Sequence, residues 1–116
     1  MTGMSMTSQV RRAILELAAE DWYGLWELES AARDATGEAD ENRLRFLVRE
    51  QIAEMIAQGL LDGAIWSESP ARAITSQEVA ALPLDSEFWL SPMSSSSDEQ
   101  MRIAATEEGR QAYFRG

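Results

Sequence analysis

The chain has 116 residues, 45% hydrophobic and 26% charged, which suffices for one domain around a single core. It contains neither cysteine nor histidine, which excludes disulfides, thiolate nucleophiles, cysteine- or histidine-ligated zinc and histidine general-base catalysis. Ten positive residues, all arginine, stand against twenty carboxylates, and the resulting formal charge of −10 repels nucleic acid at long range.

No apolar run reaches the length of a bilayer span. The opening "MTGMSMTSQV" lacks the basic, apolar and small-residue sections of a secretory signal. A cytoplasmic protein is expected, with a flexible N-terminus over 1–7 and one domain over 8–116. Ser8 is a candidate N-cap for a first helix, in which Val10, Ile14, Leu17 and Ala18 share a face and which ends near Glu20. Gly24 then punctuates "DWYGLWELESAARDATG". Leu25, Leu28 and Ala32 predict a second helix over 25–35, closed by Gly37. Trp22, Tyr23 and Trp26 crowd its start among Glu20, Asp21, Glu27 and Glu29; that acidic setting favours packing over base stacking.

"EADENRLRFLVREQIAEMIAQGLLDG" is the clearest element. Asp40 can cap it and Glu41 sits in the first turn, at the positive end of the helix dipole. Leu44, Leu47, Val48, Ile52, Met55 and Ile56 form one apolar stripe. Gly59 stops the helix, and Leu60 can fold back on its last turn. Phe46, Ala53 and Ala57 lie on another side, which calls for a second cover, either a later segment of the chain or a partner subunit.

"LLDGAIW" reads as a turn at Asp62–Gly63 followed by a strand, and "SESPARA" as a loop. Thr75 and Glu78 have capping-box spacing ahead of Pro83, predicting a short helix over 76–82. "SEFWL" reads as a strand, "SPMSSSSDEQ" as an exposed loop, and "MRIAA" as a strand with Met101, Ile103 and Ala105 on one face. The two strands make a hairpin. In the closing "IAATEEGRQAYF", Thr106 can cap a last helix with Glu107 and Glu108 at its positive end. Gly109, a poor helix former one turn in, implies that another backbone passes close by. Tyr113 and Phe114 are placed to close the core.

This order, two helices, a long helix ending "GLL", a hairpin and then strand-"TEEGR"-helix, resembles the winged-helix domain of bacterial transcription regulators such as the MarR and PadR groups. The resemblance covers most of 10–114. It implies an α+β, mostly helical fold: a three-helix winged helix-turn-helix core with a β-hairpin wing and a C-terminal helix, to which this chain adds an insertion over 67–84 that carries the short helix. It also implies a dimeric, non-catalytic, DNA-binding regulator whose third helix enters the major groove. By position, Asn42, Arg43, Arg45 and Arg49 would face the groove, and 92–100 would be the wing tip. Either Phe88–Leu90 or Ala64–Trp66 serves as the first wing strand.

The acidic wing tip, with Asp98 and Glu99, and the acidic turn "GEADE" depart from a DNA reader. They support an alternative, an acidic winged-helix module that contacts protein. On that alternative Phe46, Ala53, Ala57 and Trp89 are the interface candidates. Arg45 and Arg49 are a phosphate clamp on the first view, and a solvated flank in which Glu41 pairs with Arg45 on the second. Glu50 with Glu54, and Glu27 with Glu29, read as acidic surface. Trp66 and Trp89 flank the inserted helix and read as packing. Ser94–Ser97 lack a companion base and read as linker. No catalytic residue, metal ligand or cofactor site is indicated, and no membrane partner.

Overall fold

The first helix begins earlier than the Ser8 expectation. In the computed structural model, which describes residues 5–67, 72–96 and 98–115, Ser5 caps α1 (Met6–Ala18) and its hydroxyl accepts from the Ser8 amide. Residues 1–4 of the expected N-terminus, 68–71 of the expected loop and Ser97 of the expected wing tip lie outside the described residues. α1 buries Val10, Ile14, Leu15 and Ala18. A two-residue strand β1 (Tyr23–Gly24) leads into α2 (Leu25–Thr36), where the Glu27 carboxylate accepts from the Gly24 amide. Gly37 closes α2 with φ 73°, a left-handed conformation that glycine adopts without a steric penalty.

Asp40 caps α3 (Glu41–Ala57) by accepting from the Arg43 amide. Leu44, Val48, Ile52 and Met55 of the expected stripe are fully buried, with Leu47 and Ile56 packed at its margins. At the other end Gly59 takes φ 76°, its amide bonds the Ile56 carbonyl, and the Leu60 amide bonds the Met55 carbonyl. These are the two backbone bonds of a Schellman ending.

The segment after α3 departs most from the sequence expectation. β2 (Leu61–Trp66) runs straight through Asp62–Gly63, so the turn falls at Gly59 instead. Gly63 is small for a packing reason: a Cβ there would lie 2.7 Å from the Ile74 side chain and 3.1 Å from that of Ile103. β3 (Arg72–Ile74) pairs with β2 where a loop was expected. α4 (Ser76–Ala80) has its capping box: Thr75 Oγ1 accepts from the Glu78 amide, and the Glu78 carboxylate accepts from the Thr75 amide. The Arg72 guanidinium, 3.0 Å away, together with these bonds holds the Glu78 carboxyl below the usual range.

"SEFWL" is not a strand. Glu87–Trp89 form a single 3-10 turn capped by Ser86, and Trp89 points inward, 2% exposed, with its indole N–H donating to the Pro83 carbonyl at 3.0 Å. A large ring that must bury its body and satisfy one N–H overrides strand propensity here. β4 (Gln100–Ala105) therefore pairs elsewhere. It lies between β1 and β2 in an antiparallel sheet of order β1-β4-β2-β3. Of the two candidate partners for this strand, Ala64–Trp66 is the one that pairs with it.

Thr106 leads into α5 (Glu107–Arg115). Its amide and hydroxyl donate to the Leu60 and Gly59 carbonyls, and its Oγ1 accepts from the Gly109 amide. A Cβ on Gly109 would stand only 2.0 Å from the Leu60 carbonyl oxygen, so the close backbone passage expected from this glycine is present. Tyr113 packs against the core, but Phe114 does not: it is 77% exposed, stacked edge-on against Tyr113. The fold is α+β and mostly helical. One buried cluster joins α1, α2 and α3 to the inner face of the sheet, to Val79 of α4 and to Trp89. Among the described residues no helix is long and apolar enough to cross a membrane.

Candidate functional site

The four candidate DNA contacts divide into two pairs. Asn42 and Arg43 are exposed at the start of α3, while Arg45 and Arg49 are turned sideways and largely covered. The Arg45 side chain is only 11% exposed. Its Nε donates to Glu29 at 2.9 Å, one terminal nitrogen to Glu41 at 2.9 Å and the other to the Leu84 carbonyl at 3.0 Å. Its guanidinium carbon also sits 5.7 Å from the Trp89 ring centre, within cation–π range. Arg49 donates to the Leu82 carbonyl at 3.0 Å and to Glu50 at 3.3 Å, and lies over the Phe46 ring.

The pair Glu41–Arg45 expected from spacing is present, but its flank is not solvated. Glu29, expected on an acidic surface, is buried. It holds the exposed Arg33 at 2.6 Å and the covered Arg45 at 2.9 Å, so that Glu29 and Arg45 form an ion pair largely away from water, with Arg33 at its solvent edge. Two backbone carbonyls of the inserted segment complete the set. Together these bonds clamp 82–89 onto α3.

The same segment supplies the second cover that α3 calls for. Of the expected interface residues, Ala53 is buried facing α4 and Trp89 is buried as part of the covering segment, whereas Phe46 and Ala57 remain exposed. Glu50 and Glu54 border an open groove of about 350 Å³ between α3 and α4, floored by Ala53 and Ala80. Among the described residues no group of three carboxylates is placed to hold a metal ion. The outward surface of α3 thus presents Arg43, Phe46, Glu50 and Glu54.

Other arginines are also committed within the chain. Arg11 bonds Gln58, Arg110 bonds the Ala19 carbonyl, and Arg102 makes two bonds to Gln100. Among the described residues only Arg12 and Arg43 have guanidinium groups with no such partner. At the other side of the sheet the Tyr23 phenol is pushed above its ordinary range by burial first, then by its bond to the Glu20 carboxylate.

Glu29, expected on an acidic surface, and Ala53 and Trp89, expected at an interface, are all buried, which for Trp89 agrees with its reading as a packing residue. A trace of the Glu29 role is visible: it stands next to Leu28 and four residues before Arg33 on α2. Its distant partner Arg45 leaves no local signal. No family model, curated protein or solved structure matches this chain.

Proposed function

We propose that the chain is a winged-helix module that binds protein rather than DNA. The fold reading is supported by the succession of α2, α3 and the antiparallel β2–β4 ribbon, which is the order of a helix-turn-helix followed by a wing. β3, α4 and the turn at 87–89 then form the insertion between the two wing strands. A short β1 joins the ribbon from the far side.

One observation carries the functional half. The arginines that a DNA-reading third helix would offer to phosphates, Arg45 and Arg49, are spent on Glu29, Glu41, Glu50 and the carbonyls of Leu82 and Leu84. What α3 shows outward is an aromatic ring and carboxylates beside one free guanidinium. Affinity for nucleic acid comes mostly from neutralising phosphates, and a surface of this composition supplies little. No catalytic role is assigned.

Two measurements test the proposal. A labelled duplex titrated at low salt, where the Debye length is about 30 Å and any attraction is at its longest range, is expected to give no anisotropy change. A photo-crosslinker at Phe46 or Trp66 in cells is expected to trap protein and not nucleic acid. Duplex binding that is lost in Arg43→Ala would overturn the protein-contact role and restore the regulator.

A further inference from the structure

The sheet has two unlike faces. Directly opposed residues in an antiparallel ladder share a face. Trp66 opposes Gln100, Ala64 opposes Arg102 and Asp62 opposes Ala104, so these six lie away from Met101 and Ile103, which enter the core. Tryptophans cover part of this outer face, while Asp62 stays exposed. The Trp22 and Trp66 rings meet edge-to-face at 5.7 Å, and the Arg102 guanidinium lies 5.5 Å from the Trp66 ring centre. Ala64 and Ala104 are buried on this face.

The cover is itself only half hidden. Trp66 is 37% exposed and borders an open hollow of about 380 Å³ with Asp98, Gln100 and Arg102. Gln100 also borders the adjoining crevice walled by Trp26, Phe88 and Leu90. Trp26 and Leu90 are 38% and 37% exposed, and Met93, next to Pro92 at the crevice edge, is 97% exposed. Four of the six large apolar side chains exposed among the described residues therefore gather around the start of β4. Exposed apolar side chains gathered in this way mark an interaction surface more than scattered exposure does. Tryptophan is also the residue type most enriched where binding energy concentrates.

Charge selects the occupant. Glu87, Asp98 and Glu99 rim the two hollows, and Asp21 flanks Trp22. The one cation among them, Arg102, is tied to Gln100 and to the Trp66 ring. A second copy of the chain would bring an equally acidic rim against this one, and nucleic acid would be repelled. We propose that the surface formed by Trp22, Trp26, Trp66 and Leu90 docks a segment of another protein in which arginine or lysine stands beside apolar side chains. The apolar groups lie on the tryptophans, and the cations meet the carboxylate rim. This rests on the protein-contact reading above and adds the surface and the chemistry of the partner.

The test is an array of synthetic twelve-residue peptides that combine arginine or lysine with leucine, tryptophan or phenylalanine. Each is matched by a version with glutamate in place of the cations. Binding is followed by the fluorescence of the full chain and by its salt dependence. Cationic-apolar peptides are expected to bind and their glutamate versions not. Affinity should fall about tenfold or more in Trp66→Ser. Asp98→Lys, which leaves every aromatic ring in place, should lower it by a few fold and flatten the salt dependence. A melting curve of each variant separates lost binding from lost folding.

Absence of binding by any peptide, equal binding of the glutamate versions, or affinities unchanged in both variants would overturn the proposal. So would a self-association that Trp66→Ser abolishes. Peptides that bind wild type and Trp66→Ser alike, but lose affinity in Phe46→Ser, would move the contact to α3 and leave the protein-binding role standing. Duplex DNA bound through Arg43 would remove both.

Discussion

The two ends of α3 are fastened in opposite ways. Its C-terminal end is joined to α5 by backbone: the Leu60 and Gly59 carbonyls receive Thr106, and Gly109 is small enough to let Leu60 pass. Its N-terminal half is joined to the inserted segment by side chains, through Arg45, Arg49, Glu29 and the Trp89 ring. A backbone junction demands particular residues at particular positions, a glycine or a threonine, and leaves a mark in the sequence. A side-chain junction is assembled from charges that look the same as solvent-facing ones until the fold brings them together.

That contrast sets the order of expected effects. The largest belongs to the side-chain junction. Arg45→Ala strands the buried Glu29 carboxylate with one partner fewer and should lower unfolding free energy by about 3–4 kcal/mol in a urea titration. Arg45→Met together with Glu29→Leu should recover most of that loss, because the pair is then removed whole. A loss below about 1 kcal/mol for Arg45→Ala would put this contact in the class of exposed ion pairs and break the comparison.

Next is the backbone junction. Gly109→Ala gains about 1 kcal/mol of helix propensity. It also places a methyl group against the Leu60 carbonyl, and the overpacking cost of about 1–3 kcal/mol should win. A net destabilisation is expected; a stabilised variant would mean that the close passage is absent. Thr106→Val, which removes the cap of α5 and the bond to Gly59 while keeping the shape, should cost about 1 kcal/mol in the same assay.

How much of this was legible follows the same division. Asp40, Gly37, Gly59, Thr75 with Glu78, and Gly109 could all be placed from the sequence, because each answers a local backbone need. The inner face of β4 could be placed from its alternation. The rest of 61–90, outside that capping box and the strand at 64–66, could not. Gly63 imitates a turn residue while serving Ile74 and Ile103, and "SEFWL" has strand propensity that the burial of Trp89 overrides. The candidate site was half visible. The spacing of Glu41 and Arg45 was readable, but the sixteen-residue reach from Arg45 to Glu29 was not. Neither was the contact of Trp22 with Trp66 across the sheet.

The smallest effect sharpens the contrast with an exposed pair. The Glu78 carboxyl is held below the ordinary glutamate value of about 4.3 by Arg72 and the Thr75 amide. Its contribution to stability is fully present above that ordinary value and is lost as pH falls through the depressed one. Glu78→Gln should therefore flatten the fall of Tm with acid below about pH 4.3 and leave Arg45–Glu29 untouched. An unchanged acid profile in Glu78→Gln would remove the pair from the fold's electrostatics.

The inward commitment of the α3 arginines can be read most directly from side-chain hydrogen exchange, comparing the Nε–H of Arg45 with that of Arg43 in the same helix by NMR. Arg45, donating to the buried Glu29 carboxylate, should exchange far more slowly than Arg43, which should exchange as a free guanidinium does. Equal, fast exchange at both positions would contradict the clamp and return Arg45 to the surface.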